Sequence, residues 1–246
     1  MTLPQRFKGI ALFTPGGDLI YCVDPSKQGR WHLHLCATLQ EILDLPESPH
    51  FLVPCYTATI DHWLDPRTQK IRTFAEAYPV VMRHQALLNT IFGTGELVWQ
   101  QSPWQEGLCD RMVLATYRSS FPQLWQDHDL VVRLDPDVPA PLYYPPVALA
   151  QQVQPKTQGY VLRLFVAGHG PSTERILQNL HQLLEQHLGQ PYTLKVIDVF
   201  THPEQAEANQ VSATPTLLKV WPHPIRRIIG DLDNVEKILQ MLGTAE

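Results

Sequence analysis

The chain has 246 residues, 44% of them hydrophobic, which is enough for one large domain or two small ones. Its formal net charge of −5 argues against nucleic acid as the main partner, because a strong phosphate binder needs a basic face. The sequence has neither an apolar window long enough to span a membrane nor the start of a secretory signal, so we expect a cytoplasmic protein without membrane contact.

The cysteines are scattered over the first part of the chain, and no two of them form a C-x-x-C pair. In a cytosolic protein, isolated cysteines of this kind are usually small buried apolar residues. We therefore expect packing roles for Cys22, Cys36, Cys55 and Cys109.

Residues 1–135 are predicted to form an α+β domain of no recognised family. The patterns indicate, in chain order, a β-hairpin at 7–13 and 19–23, a helix at 33–43, a strand at 51–59, a helix at 74–92 and a helix at 109–117. No Walker A loop and no G-x-G-x-x-G motif accompanies them. The default function for this domain is protein interaction, with a second partner that the sequence does not identify.

One motif in this domain leaves an enzymatic alternative open. If WHLHLC is extended, His32, His34 and Cys36 fall on one face, where Cys22 or Cys55 could add a fourth metal ligand. A helix would instead scatter these side chains around its axis. The expectation is that no metal and no other cofactor is bound.

Proline density marks a linker at 136–157 between two domains. Proline prevents helix and removes ladder donors, so this stretch is expected to be extended and semi-rigid. The prolines concerned are Pro136, Pro139, Pro141, Pro145, Pro146 and Pro155.

Residues 158–246 read as a complete thioredoxin-like domain. The predicted elements begin with a strand at 160–167, a helix from Ser172 to Leu188 and a strand at 192–200. A short helix at 203–210 leads to a strand at 216–221, which forms a hairpin with a strand at 225–229. The last helix runs to Leu242 and is capped by Asp231 or Asp233. The fold class is therefore α/β, with a βαβαββα domain after an α+β N-terminal domain.

Thioredoxin chemistry is not expected from this domain. A thioredoxin carries its dithiol at the start of the first helix, where this chain reads Gly168-His169-Gly170-Pro171-Ser172. Disulfide exchange requires an attacking thiolate, so the fold must serve another purpose.

Three stretches of the domain closely resemble the KaiB family of circadian-clock proteins, over about residues 158–242. They are YVLRLFVAGHGPSTERILQNL, YTLKVIDVFTHPEQAEANQVSATPTLLKV and PIRRIIGDLDNVEKIL. They are also similar, less tightly, to the KaiB-like sensor domain of the histidine kinase SasA. The resemblance implies a protein that binds a KaiC-like ATPase, with KaiA or clock output kinases as further partners.

The resemblance also implies a structural role for one proline and a resting state for the domain. Pro215 stands where a cis-proline shapes the binding loop of the fold. The Gly-x-Asp pattern and acidic tail of KaiB are absent at Met241–Glu246, which favours a domain that rests in the thioredoxin-like state.

Several side chains are candidate partner contacts. Lys219, Arg226 and Arg227 could form a basic patch for an acidic partner, although such runs are often only a solvated edge, and two neighbouring arginines on a strand point apart. Arg175 is poorly placed for the dipole of its helix. The remaining candidates are Tyr160 and Lys195, the latter expected on the exposed side of its strand.

The sequence therefore predicts a non-enzymatic, clock-associated adaptor. The alternative is a thioredoxin-fold or metal-dependent enzyme whose active site lies in the N-terminal domain.

Overall fold

The strands that the structure describes join into one sheet that runs through both halves of the chain. The computed structural model describes residues 6–26, 31–103, 110–126, 128–135, 159–168, 170–230 and 232–243. The strands in these residues are β1 Phe7–Phe13, β2 Leu19–Asp24, β3 Thr57–Leu64, β4 Ile71–Ala77, β5 Gln100–Gln101, β6 Leu130–Leu134, β7 Tyr160–Val166, β8 Tyr192–Asp198, β9 Thr216–Trp221 and β10 Arg226–Ile229. The helices are α1 Trp31–Ile42, α2 Gln85–Ile91, α3 Arg111–Ser120, α4 Pro171–His187, α5 Pro203–Ala208 and α6 Val235–Leu242, with short 3-10 helices at His50–Leu52, Val81–His84 and Pro122–Trp125.

The C-terminal part has the strand arrangement of a thioredoxin-like domain, as predicted. The sheet order is β10-β9-β7-β8-β6-β2-β1-β3-β4-β5. Within it, β8 runs parallel to β7, β9 runs antiparallel to β7, and β10 closes a hairpin with β9. The helix α4 connects β7 to β8, so the two parallel strands form the βαβ unit that begins the βαβαββα order.

The N-terminal half is joined to this domain through a strand that the sequence did not predict. The strand β6 lies antiparallel to β8, with Leu130 opposite Lys195 and Arg133 opposite Tyr192. Its other side pairs in parallel with β2. Over these residues β8 is an interior strand rather than a sheet edge. The division at 1–135 and 158–246 remains a prediction, and the predicted linker at 136–157 lies outside the described residues.

Helices cover both faces of the sheet. On one face, α2 packs over β1–β4 around Phe92 and Tyr21, and α4 and α6 pack over β7–β9 around Leu184 and Leu217. On the other face, α1 and α3 cover β1, β2 and β6, while α5 covers a smaller cluster on Phe165, Ile197 and Leu218. No helix among the described residues is both long and apolar enough to cross a bilayer.

Two N-terminal predictions are wrong in their boundaries. The predicted helix at 74–92 begins as the strand β4, which pairs along its length with β3 and leads into α2 only at Gln85. The predicted strand at 51–59 is a 3-10 turn followed by β3, which begins at Thr57. In both cases the apolar spacing suits strand and helix alike, and pairing across the sheet decides between them.

Helix caps at two positions also differ from the prediction. The α4 helix begins with Pro171 at its first turn rather than at Ser172. The α6 helix is capped by Asn234, whose side chain accepts from the Lys237 backbone N–H at 3.1 Å, rather than by Asp231 or Asp233. Asparagine caps as well as aspartate, so composition alone does not separate these candidates.

The extended metal-binding interpretation of WHLHLC is wrong, because the stretch lies in the helix α1. Among the described residues, no group of three or more His, Cys, Asp or Glu side chains lies close enough to hold a metal ion. Cys36 is buried, and burial raises the pKa of its thiol to about 12. Cys55 is disulfide-bonded, which scattered cysteine spacing did not indicate.

A buried polar network crosses the junction between the two halves. Tyr21 on β2 donates to Glu185 on α4, and its hydroxyl oxygen lies 3.1 Å from that of Tyr192 on β8. The Tyr192 hydroxyl lies 2.6 Å from Nδ1 of His181. Arg133 Nε on β6 lies 3.6 Å from Glu185 Oε2. Since breaking a buried network leaves polar groups without partners, these contacts resist separation of the halves.

Burial shifts the pKa values of two titratable groups on α4, His181 and Glu185. Desolvation lowers the pKa of His181 to about 4, and the nearby charge of Arg133 lowers it further in the same direction. Burial raises the pKa of Glu185, against the opposing effect of Arg133. At neutral pH, His181 is therefore uncharged.

Acidification should destabilise the protein through His181. Because the folded-state pKa lies below the ordinary value of 6.5, the unfolded chain takes up the proton first, and the free energy of unfolding decreases between about pH 6.5 and about pH 4. The full effect of His181 is about 3 kcal/mol. Glu185 acts in the opposite sense, since its raised pKa lets the folded state take up a proton first.

The comparison of denaturant unfolding between wild type and His181→Asn isolates this effect. The variant should lose less stability than wild type over the same pH range, whereas His223→Asn, at an exposed position, should behave as wild type. An identical pH dependence in His181→Asn and wild type would contradict the assignment.

Gly9 on β1 is required by close packing. A β-carbon added there would clash with the Phe92 ring and lie 2.5 Å from Ile60 Cγ2. Gly9→Ala should therefore cost about 1–3 kcal/mol of unfolding free energy, measured by denaturant titration. In the double variant with Phe92→Leu, the smaller side chain leaves room for the added β-carbon. The double variant should therefore lose less unfolding free energy than the sum of the two single losses. Strict additivity would show that the two positions do not interact.

Candidate partner-binding surface

The carboxyl ends of β7 and β8 meet at one edge of the sheet, where parallel α/β sheets place their binding sites. Three loops come together there, at 167–168, 199–202 and 212–215, and we call them the carboxyl-edge surface. The Thr214–Pro215 peptide bond is cis. The Gly230 backbone N–H donates to the Pro215 carbonyl at 2.8 Å, which ties the end of β10 to the same edge.

Asp198, the last residue of β8, holds two of these loops in place. Its Oδ1 accepts from the backbone N–H of Gly168 at 2.9 Å and from that of Phe200 at 3.0 Å. Its Oδ2 accepts from the Thr201 hydroxyl at 3.3 Å. The Thr173 hydroxyl on α4 donates to the Gly168 carbonyl at 2.8 Å. One carboxylate thus fixes the loop after β7 against the loop after β8.

An exposed aromatic ring stands on the carboxyl-edge surface. Phe200 is 75% exposed, and its ring would lie 3.8 Å from a β-carbon at Gly168. Gly168 has φ of +77°, which favours glycine at this turn. Exposed aromatic side chains on a fixed scaffold are typical of protein contacts. Sequence reasoning missed Phe200, although a phenylalanine directly before Thr-His-Pro, beyond the end of a strand, was a usable signal.

The structure places the predicted contact residues at different ends of the domain. Arg175 is exposed in the first turns of α4, beside the carboxyl edge. Tyr160 begins β7 at the opposite end, half-buried, with its hydroxyl 3.4 Å from the Leu242 carbonyl. Lys195 is half-buried in the middle of β8, between Leu130 of β6 and Arg163 of β7. These residues do not form a single patch.

The three residues of the predicted basic patch do not share one exposed surface. Lys219 is only 3% exposed, because it shares the face of β9 that α4 and α6 cover at Leu217. Burial lowers the pKa of its ammonium, with Arg226 acting in the same direction. Arg226 donates to the Gln240 carbonyl at 2.9 Å, and Arg227 donates to the Gln210 carbonyl at 3.0 Å. The two arginines therefore point to opposite faces of the sheet, and Lys219 is buried on one of these faces.

Comparison with known proteins identifies relatives of the C-terminal part. The family model for the KaiB domain matches residues 163–244. The circadian clock oscillator protein KaiB of Thermostichus vulcanus is 52% identical over 85 residues, which are 35% of this chain and 79% of that protein. The protein of the same name from Gloeothece citriformis is 52% identical over 80 residues, 32% of this chain and 76% of that protein.

Solved structures similar to this chain cover the same part. The N-terminal domain of Synechococcus elongatus SasA aligns with 29% identity and a TM-score of 0.32, over 42% of this chain and 95% of that domain. The mitochondrial thioredoxin 3 of Saccharomyces cerevisiae aligns with 20% identity and a TM-score of 0.29, over 36% of this chain and 79% of its own.

Replacing Asp198 should loosen the carboxyl-edge surface. Asp198→Ala removes the acceptor of two backbone N–H groups and should cost about 1–3 kcal/mol of unfolding free energy. Asp198→Asn keeps one side-chain oxygen and should cost less. Hydrogen exchange should show faster exchange of the Gly168 and Phe200 amides in the alanine variant. Unchanged exchange of both amides would show that Asp198 does not order these loops.

Proposed function

The chain belongs to the KaiB family through its C-terminal part, and we propose that it is a non-enzymatic adaptor of the circadian clock that binds KaiC or a related ATPase. The observation that carries this proposal is the 52% identity to a circadian clock oscillator protein over 79% of that protein's length. The matched residues 163–244 include the carboxyl-edge surface described above.

The composition of the surface supports docking rather than catalysis. At the start of α4, where a thioredoxin carries its dithiol, residues 168–172 contain no thiol. What the surface offers instead is the exposed ring of Phe200, and Arg175 is exposed in the first turns of α4. Aromatic and arginine side chains supply much of the binding energy at protein interfaces. We propose these two residues as the main contacts, with one of the two hairpin arginines, Arg226 or Arg227, as a further contact.

The cellular setting follows from the same proposal. An adaptor of this kind acts in the cytoplasm, needs no cofactor, and has KaiA or clock output kinases as additional partners. Residues 1–135 provide the binding site for a second partner, which this adaptor brings to the ATPase. The competing proposal is an enzyme whose active site lies in residues 1–135.

Binding to a cyanobacterial KaiC ring tests the adaptor proposal. The full chain should bind KaiC in the presence of ATP, measured by biolayer interferometry. Arg175→Glu and Phe200→Ala should each weaken this binding at least about tenfold, since interface hot spots cost about 1.4 kcal/mol or more. Arg118→Glu, an exposed arginine on α3, is the matched control and should bind as wild type.

Two outcomes would contradict the proposal. Folded wild-type protein that fails to bind KaiC would remove its basis. Stoichiometric metal in the purified protein, or turnover of a model disulfide that is lost when a single cysteine is replaced, would favour the enzymatic alternative.

A further inference from the structure

A cleft lies where the two halves of the chain meet, between α2 and the C-terminal half of α4. Its volume is about 1290 Å³, and both halves line it. The N-terminal half contributes α2 and the turn at Gly93–Glu96, and the KaiB-like part contributes α4 from Gln178 onwards. Small-molecule sites occur preferentially at such junctions. The carboxyl-edge surface does not include any of these residues.

The cleft has a cation and an anion side by side. Arg133 Nε lies 3.6 Å from Glu185 Oε2, and the two side chains remain 25% and 15% exposed. Arg133 Nη1 is buried and has no hydrogen-bond partner among the described residues. The same is true of Nε2 of His181, a residue that is 4% exposed and lies in the network behind Glu185. Buried polar atoms nearly always have hydrogen-bond partners, so these two nitrogen atoms could form further hydrogen bonds.

Much of the described wall of the cleft is apolar, and its polar groups include two glutamine amides on α4. Gln178 and Gln182 are exposed and lie one helical turn apart on α4, so their amides point the same way. Each amide can both donate and accept. Among the described residues that line the cleft, the only other carboxylate is Glu96, and none is a lysine. With one guanidinium against two carboxylates in its described lining, the cleft does not suit a polyphosphate, which needs several cations.

We propose that this cleft binds a free L-α-amino acid. The carboxylate of the ligand pairs with Arg133, its ammonium group pairs with Glu185, and its side chain lies along the amides of Gln178 and Gln182. A zwitterion satisfies both charges of the site without adding net charge. Arg133 belongs to β6 and Glu185 to α4, so the ligand would contact both halves of the chain. This proposal does not depend on the clock function.

A ligand screen on the full chain tests the proposal. Thermal unfolding is measured with each of the standard L-amino acids, and the hits are titrated by calorimetry. At least one amino acid should raise the melting temperature, because a ligand that binds only the folded state stabilises it. Lactate, which lacks the ammonium group, and ethylamine, which lacks the carboxylate, should give no shift. If no amino acid shifts the melting temperature, or if lactate shifts it as strongly, the proposal is wrong.

Variants locate the site. Arg133→Gln should weaken binding of the selected amino acid at least about tenfold, as expected for a lost charged contact. Arg118→Gln is the matched control and should leave it unchanged. Since Arg133 also contacts Glu185, a second variant avoids the network: Ala86→Trp places a large side chain in the cleft from an exposed position on α2 and should abolish binding. Its control is Ala115→Trp, exposed on α3. Unchanged binding to Ala86→Trp would overturn the assignment.

Discussion

The pairing of β6 with β8 is the contact on which the organisation of this protein depends. Four residues of β6 lie opposite residues of β8, from Leu130 opposite Lys195 to Arg133 opposite Tyr192. In a thioredoxin-like order without β6, β8 would be the free edge of the sheet. Free edges present unpaired backbone groups that bind other strands. Here β6 of the same chain pairs with this edge. A buried polar network that includes Tyr21 and Tyr192 joins the two halves at the same place.

Closing this edge restricts where a partner can dock on the KaiB-like part. One face of the domain is covered by α4 and α6, and β6 occupies the edge of β8 from Tyr192 to Lys195. The loops at the carboxyl ends of β7 and β8 remain accessible, with Asp198 holding them and Phe200 exposed. The same junction forms the cleft that α2 shares with α4. A single strand pairing thus positions both candidate sites.

Local patterns were enough to predict most of the C-terminal fold, and long-range pairing was not. The apolar spacing from Ile176 to Leu188 and the proline before β9 are signals within one element, and the structure has both elements at the predicted places. The pairing of β6 with β8 joins residues far apart in sequence, and nothing in LVVRL identifies its neighbours. Lys219 was misjudged for the same reason, since its burial depends on the helices that cover its face of β9.

The central claim is that the two halves share one cooperative structure through β6 and β8, and calorimetric unfolding of the full chain tests it most directly. The account predicts a single transition, and Tyr192→Phe, which removes a hydroxyl from the junction, should move that whole transition to lower temperature. Two separate transitions in wild type, with Tyr192→Phe shifting only one of them, would contradict the claim.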